Sequence, residues 1–181
     1  MDKPFTLIAL NNAATLLISE AKVELNAQGH KLTGKAADSL EKEVSLNGDE
    51  ANIIITGIDY LLALNSGVPA SRIPYTPNGK RGGTSLYIQG LIDFVRLRGM
   101  GDGSDKSNKS IAFAIAHKHK IQWSSEGFGM PTANSYQFSQ TGARTGFVDV
   151  VLNRVMVKIG EMIEEGVMAD YFTRLEIMMA A

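Results

Sequence analysis

Glu41-Lys42-Glu43-Val44-Ser45-Leu46-Asn47-Gly48-Asp49-Glu50-Ala51-Asn52-Ile53-Ile54-Ile55-Thr56 is the stretch whose reading decides the fold. The first part alternates near its end, and the second is a β-branched run. Between them, Asn47-Gly48-Asp49 supplies residues that accept the positive φ of a tight hairpin turn. This predicts a β-hairpin over about 40–58, with the second strand more buried than the first. Helical periods surround it on both sides. The expected class is therefore α+β: a small antiparallel hairpin packed against several helices, in a single domain over 1–181, with helix exceeding strand at least twofold.

Upstream, residues 5–27 read as an amphipathic helix. Leu7, Leu10, Ala14, Leu17, Ala21 and Leu25 recur at spacings of three and four, which puts them on one face. Pro4 suits its first turn and Gly29 its C-terminal cap. Lys22, Glu24 and Asn26 are expected to face water. Residues 32–40 read as a turn and one short helical turn. Downstream, 59–66 reads as a short helix with Asp59 at its N-cap and Gly67 as its stop. Helices follow at 84–98 and 107–122, separated by a flexible break at 99–105. The closing segment, 144–180, repeats Phe147, Val151, Val155, Ile159 and Ile163 every four residues, and Gly166 is a candidate kink. Two long irregular stretches remain. Residues 67–83 hold Pro69, Pro74 and Pro77 with Gly67, Gly79, Gly82 and Gly83, and the other stretch covers 124–143. The first is expected to be mobile in the isolated chain and ordered in an assembly.

The 181 residues include no cysteine, which excludes disulfides, thiol catalysis and cysteine-ligated metals. No signal peptide is visible at the start, and no apolar run approaches the ~20 residues of a membrane helix. Charge is uneven. Residues 1–60 carry 5 Lys/Arg against 9 Asp/Glu, residues 61–125 carry 9 against 3, and residues 126–181 carry 4 against 7. A basic middle between acidic flanks fits a nucleic-acid patch over 72–120, with aromatics such as Tyr75 and Phe94 available for stacking. It fits equally an acidic face that meets a basic face on the next copy, or a merely solvated surface.

Catalytic patterns fail one by one. His117 and His119 would lie about 200° apart on a helix and could not share a metal, so solvated helix histidines are expected. Asp102-Gly103-Ser104-Asp105 lacks the ligand spacing of a calcium loop. Gly79-Lys80-Arg81-Gly82-Gly83-Thr84-Ser85 lacks the spacing of a phosphate-binding loop. No nucleophile elbow or dinucleotide fingerprint occurs, and Glu41/Glu43 and Glu164/Glu165 sit in polar contexts. No catalytic residue, cofactor or metal is expected.

The chain resembles the tail-completion or head–tail joining (neck) proteins of tailed bacteriophages. The residues that carry the likeness are Lys31-Leu32-Thr33-Gly34, Ile54-Ile55-Thr56-Gly57, then Asp59-Tyr60 leading to Gly67. Further on are Ile111-Ala112-Phe113-Ala114-Ile115-Ala116, Lys120-Ile121, Gly129-Met130-Pro131-Thr132 and Gly146-Phe147. The likeness spans about 30–175. The family often has an acidic residue where this chain has Asn65, and 67–83 and 100–110 look longer than usual. The resemblance implies a non-enzymatic virion component on the portal–tail axis, found in the host cytoplasm during assembly. It implies a homo-oligomeric ring that contacts portal or adaptor and tail proteins. DNA would pass through its channel without sequence-specific binding, and no membrane is involved. Ring subunits meet head to tail, which the acidic–basic–acidic order suits. The candidate interface residues are Arg72, Tyr75, Lys80, Arg81, Arg96, Arg98, Phe147 and Val151. The alternative is a nucleic-acid-binding protein using 72–120.

Overall fold

Pro4 opens the first helix, where its missing N–H costs nothing, and a left-handed Gly29 closes it. The computed structural model describes residues 3–30, 33–48, 50–67, 72–75, 85–125, 139–140, 142 and 144–180. In order, the elements are α1 (Pro4–Ala27), α2 (Lys35–Asp38), β1 (Glu41–Asn47), β2 (Glu50–Thr56), α3 (Tyr60–Ser66), α4 (Leu86–Leu97), α5 (Asp105–Ser125) and α6 (Phe147–Ala180). Of the described residues, 69% are helical and 10% are strand, so the class is α+β with long terminal helices.

The hairpin forms where the sequence places it. Asn47 pairs with Glu50 across the turn, and the antiparallel register runs to Glu41 opposite Thr56. Gly48 takes the left-handed φ of +62° that the two-residue turn demands. The expected asymmetry between the strands is absent: both are only partly buried, with Val44 and Leu46 sheltered as much as Ile53 and Ile55. Among the described residues α1 is the helix that covers the sheet, and it shields one pleat face of each strand.

The main packing partner of α1 is α6, and the two run antiparallel. Phe5 and Thr6 meet Asp170, and Gln28 meets Thr145. Between them lies a core of Ala13, Ala21, Leu25, Ala36, Phe147, Val151, Val155 and Ile159. Each of its larger aliphatic side chains contributes about 1.5–3 kcal/mol by leaving water. The buried stripe of α1 differs from the expected one. It begins with Thr6, Ala9 and Ala13, while Leu7 is exposed and Leu17 half-buried. Small residues win there because the helices approach so closely. A Cβ on Gly166 would stand 2.7 Å from Ala9 Cβ and 2.8 Å from the Phe5 carbonyl oxygen. Gly166 is therefore a contact point inside an uninterrupted α6 and not a break in it.

A second core forms between α4 and α5, from Ile88, Ile92 and Val95 against Ala112 and Ala116. The flexible break expected at 99–105 is a hydrogen-bonded turn. Asp102 Oδ1 accepts the Ser104 amide at 2.8 Å, and Ser104 Oγ accepts the Ser107 amide at 3.1 Å, at the start of α5. Gly101 has φ +82° and sits against Ser107 Oγ and Ile111 Cδ1, so no side chain fits there. Most of 67–83 and 124–143 lies outside the described residues, as does the expected ordering of the first of these loops.

Candidate interface surfaces

Helix ends position the faces of the α1–α6 pair. Lys3, at the N-cap of α1, provides no side-chain cap. The cap comes from the opposite helix. The buried carboxylate of Asp170 accepts the Thr6 amide at 2.8 Å, the Thr6 hydroxyl at 2.6 Å and the Phe5 amide at 3.2 Å. Desolvation alone would raise the Asp170 pKa. The Thr6 and Phe5 hydrogen bonds and the Arg174 cation outweigh it and hold the carboxyl below its ordinary value. The start of α6 is capped likewise from afar. Asn65 of α3 accepts the Gly146 amide on its carbonyl at 2.7 Å and the Val148 amide on Oδ1 at 2.9 Å. An amide there keeps the acceptor that a carboxylate would supply.

Glu24, expected in water, is 3% exposed. Arg154 of α6 donates to it at 2.8 Å and to Glu20 at 3.0 Å, while Gln28 Nε2 donates to its other oxygen. These hydrogen bonds raise the Arg154 pKa further above its ordinary value. Glu24 turns inward because Arg154 on a distant helix meets it, which local spacing does not reveal.

The α4–α5 pair touches the end of α1 through a basic junction. Arg98 Nη2 donates to Gly29 O at 3.4 Å, and its guanidinium lies 5.6 Å from the Phe94 ring centroid. The His30 ring, through Nε2, bonds the Arg144 carbonyl at 3.0 Å, and the Gln140 amide donates to Ala27 O. Helix carbonyls that end without intrahelical donors are satisfied this way, and cations suit that end of the dipole. His119 is not a solvated histidine: it is half-buried, with Nδ1 2.7 Å from the Tyr87 hydroxyl. Burial, then the Arg144 charge, lowers its pKa. Burial also lowers that of His30 and pushes Tyr87 up to about 12. His117 remains exposed, edge-on to Tyr75.

The named interface candidates fall in different places. Arg72 is exposed, and Tyr75 is half-buried against Phe113 and His117. Arg96 is exposed and bridges Asp93 and Asp105, each at 3.2 Å. Arg98 turns into the junction. Phe147 and Val151 are core residues, 5% and 3% exposed, because their side of α6 faces α1. Lys80 and Arg81 lie outside the described residues. The outward residues of α6 are instead Val148, Val150, Leu152, Met156, Val157, Val167, Met168, Tyr171 and Phe172, with Ile177, Met178 and Met179 past the start of α1. On α5 the outward side carries Lys106, Lys109, Phe113, His117 and Lys118. The 3- and 4-residue spacing of Lys106, Lys109 and Phe113 is the signal that could have singled them out.

Among the described residues no group of three or more His, Asp or Glu side chains is placed to hold a metal, and no helix is long and apolar enough to cross a membrane. A groove between α1 and β1, lined by Thr15, Ile18, Leu40, Glu41 and Lys42, lies open at the surface. No family model, curated protein or solved structure matches the chain.

Proposed function

We propose that this chain is a non-enzymatic structural component of a phage neck, forming a homo-oligomeric ring between portal and tail. The observation that carries the reading is the outer side of α6. A helix that serves only its own core needs one apolar stripe. Here Phe147, Val151, Val155 and Ile159 fill that stripe, yet Val150, Met156, Val157, Met168, Tyr171 and Phe172 remain outside it. Exposed apolar surface on that scale marks a protein-binding face. The short motifs between Lys31 and Phe147 support the neck assignment, and the acidic and basic segments carry charge of opposite sign. DNA would traverse the ring without base-specific contact.

Imaging of intact particles tests the reading. The expected result is density for this chain as a closed ring on the portal–tail axis. Its absence from the particle, or its presence as isolated copies elsewhere, overturns the proposal. Tight DNA binding by the purified chain that falls steeply with salt would favour the nucleic-acid reading over 72–120.

A further inference from the structure

We infer that the outer face of α5 on one copy docks antiparallel on the outer face of α6 on the next, with Phe113 against Val157, Lys109 against Glu161 and Lys106 against Glu164. The inference deepens the ring reading. It rests on the self-association in that reading and not on a place in a virion.

Two helical faces that share no contact within the chain carry the argument. On α5, Lys106, Lys109 and Phe113 stand at spacings of three and four and so lie on one side of the helix. Both lysines are exposed, and Phe113 is 36% exposed, with part of its ring against Tyr75. On α6, Val157, Glu161 and Glu164 stand at spacings of four and three, also on one side and exposed, with Val157 77% open to water. The second order is the first reversed. Laid antiparallel, the two faces therefore bring every pair into register, with the charges about 6 and about 10 Å along the axis from the apolar centre.

The charges are available for such a contact. Neither lysine and neither glutamate has an ion pair among the described residues. Of the neighbouring cations on α6, Arg154 is already matched by Glu20 and Glu24, and Lys158 lies about 100° round the helix from Val157, at the flank of this face. The neighbouring acid on α5, Asp105, is matched by Arg96. Further along, His117 falls opposite Asn153, which leaves no like charges facing. A partner with an unrelated sequence would have no reason to match this register, whereas a second copy of the chain carries both faces. Because the faces differ, the contact is heterologous and propagates head to tail, closing into a ring if the rotation permits. The pairing of opposite charges fixes the register and disfavours two like faces meeting.

The absence of cysteine makes cross-linking a clean test on the full chain. Phe113→Cys and Val157→Cys are made separately, and each is oxidised alone and mixed with the other, in solution and in assembled particles. The expected result is a disulfide-linked dimer only in the mixture, and a ladder of higher species from the doubly substituted chain. A dimer from either variant alone means a two-fold contact and overturns the proposal, as does no cross-link in any sample. Charge reversal then checks the register. Lys109→Glu on the Phe113→Cys chain should cut the yield about tenfold, and Glu161→Lys on the Val157→Cys chain should restore it to within about twofold. Circular dichroism of each variant verifies that it is folded, and a reversal without effect in a folded variant also counts against the proposal. A mixed cross-link with no ring in particles removes the neck reading and leaves this interface standing. A ring in particles without the cross-link does the reverse.

Discussion

The α1–α6 pair and the α4–α5 pair are both antiparallel helix pairs, yet one joins the two ends of the chain and the other two consecutive helices. In α4–α5 the contacts that shape the helix starts and the turn are local, beside the Tyr87–His119 contact that crosses the pair. Ser85 Oγ accepts the Ile88 amide three residues on, Asp102 accepts from Ser104, and Ser104 accepts from Ser107. In α1–α6 they span the chain. Asp170 caps Thr6, Asn65 caps Val148, and Arg154 holds Glu20 and Glu24. A local device forms as soon as its segment turns. A distant one forms only when the tertiary fold has assembled. The α1–α6 pair should therefore be the more cooperative unit, and substitutions at its crossing should unfold it as a whole.

The largest effect is expected at the crossing itself. Gly166→Val places branched carbons where Ala9 Cβ and the Phe5 backbone already stand, and backbone cannot yield as a flexible side chain can. The helices must separate, at a cost of about 3 kcal/mol or more. Urea unfolding followed by far-UV circular dichroism measures it. A loss under about 1 kcal/mol would show that the helices slide apart easily.

A smaller effect distinguishes the two kinds of cap. Asp170→Ala leaves the Thr6 and Phe5 amides without their acceptor and should cost about 1–2 kcal/mol, against about 1 kcal/mol for Ser85→Ala. The pH dependence separates them further. The folded pKa of Asp170 lies below its unfolded value, so its contribution is present above the unfolded pKa and is lost as pH falls through the folded one. The wild-type chain should weaken on acidification below about pH 4. Asp170→Asn should flatten part of that acid limb, whereas Ser85→Ala should leave its shape unchanged. Unfolding midpoints measured between neutral and acid pH decide it, and parallel curves for wild type and Asp170→Asn would remove the argument.

The same contrast explains what the sequence could disclose. The hairpin was legible because Asn47-Gly48 and the Ile53–Ile55 run are local signals, and the short helix ending at Gly67 was legible for the same reason. The α5 turn was only half legible, since three glycines suggest freedom while Asp102 and Ser104 use it to build a fixed turn. Glu24, Asp170 and Gly166 were not legible at all. Each is explained by a residue more than 100 positions away, and a glutamate at a polar helical position reads as solvated until Arg154 is seen beside it. The candidate surface divided in the same manner. The four-residue spacing groups Phe147, Val151, Val155 and Ile159 on one face of α6, but periodicity alone cannot tell that this face meets α1 while Val150 and Val157 face out.

The smallest predicted effect has the opposite sign and comes from the same helix. Gly160 and Gly166 both lie inside α6, and a helix-propensity argument treats them alike: glycine in a helix interior costs about 1 kcal/mol relative to alanine. The surroundings separate them. A Cβ on Gly160 meets nothing within 4 Å, whereas one on Gly166 meets Ala9 and Phe5. Gly160→Ala should therefore gain about 0.5–1 kcal/mol, mainly by restricting the unfolded chain. Gly166→Ala should lose stability despite the identical change in propensity, because the lost close approach outweighs it. The pair is read from two denaturation curves under one condition. Gains at both positions would mean that the α1–α6 crossing is loose enough to admit a methyl group, and would break the contrast between the two helix pairs where it is strongest.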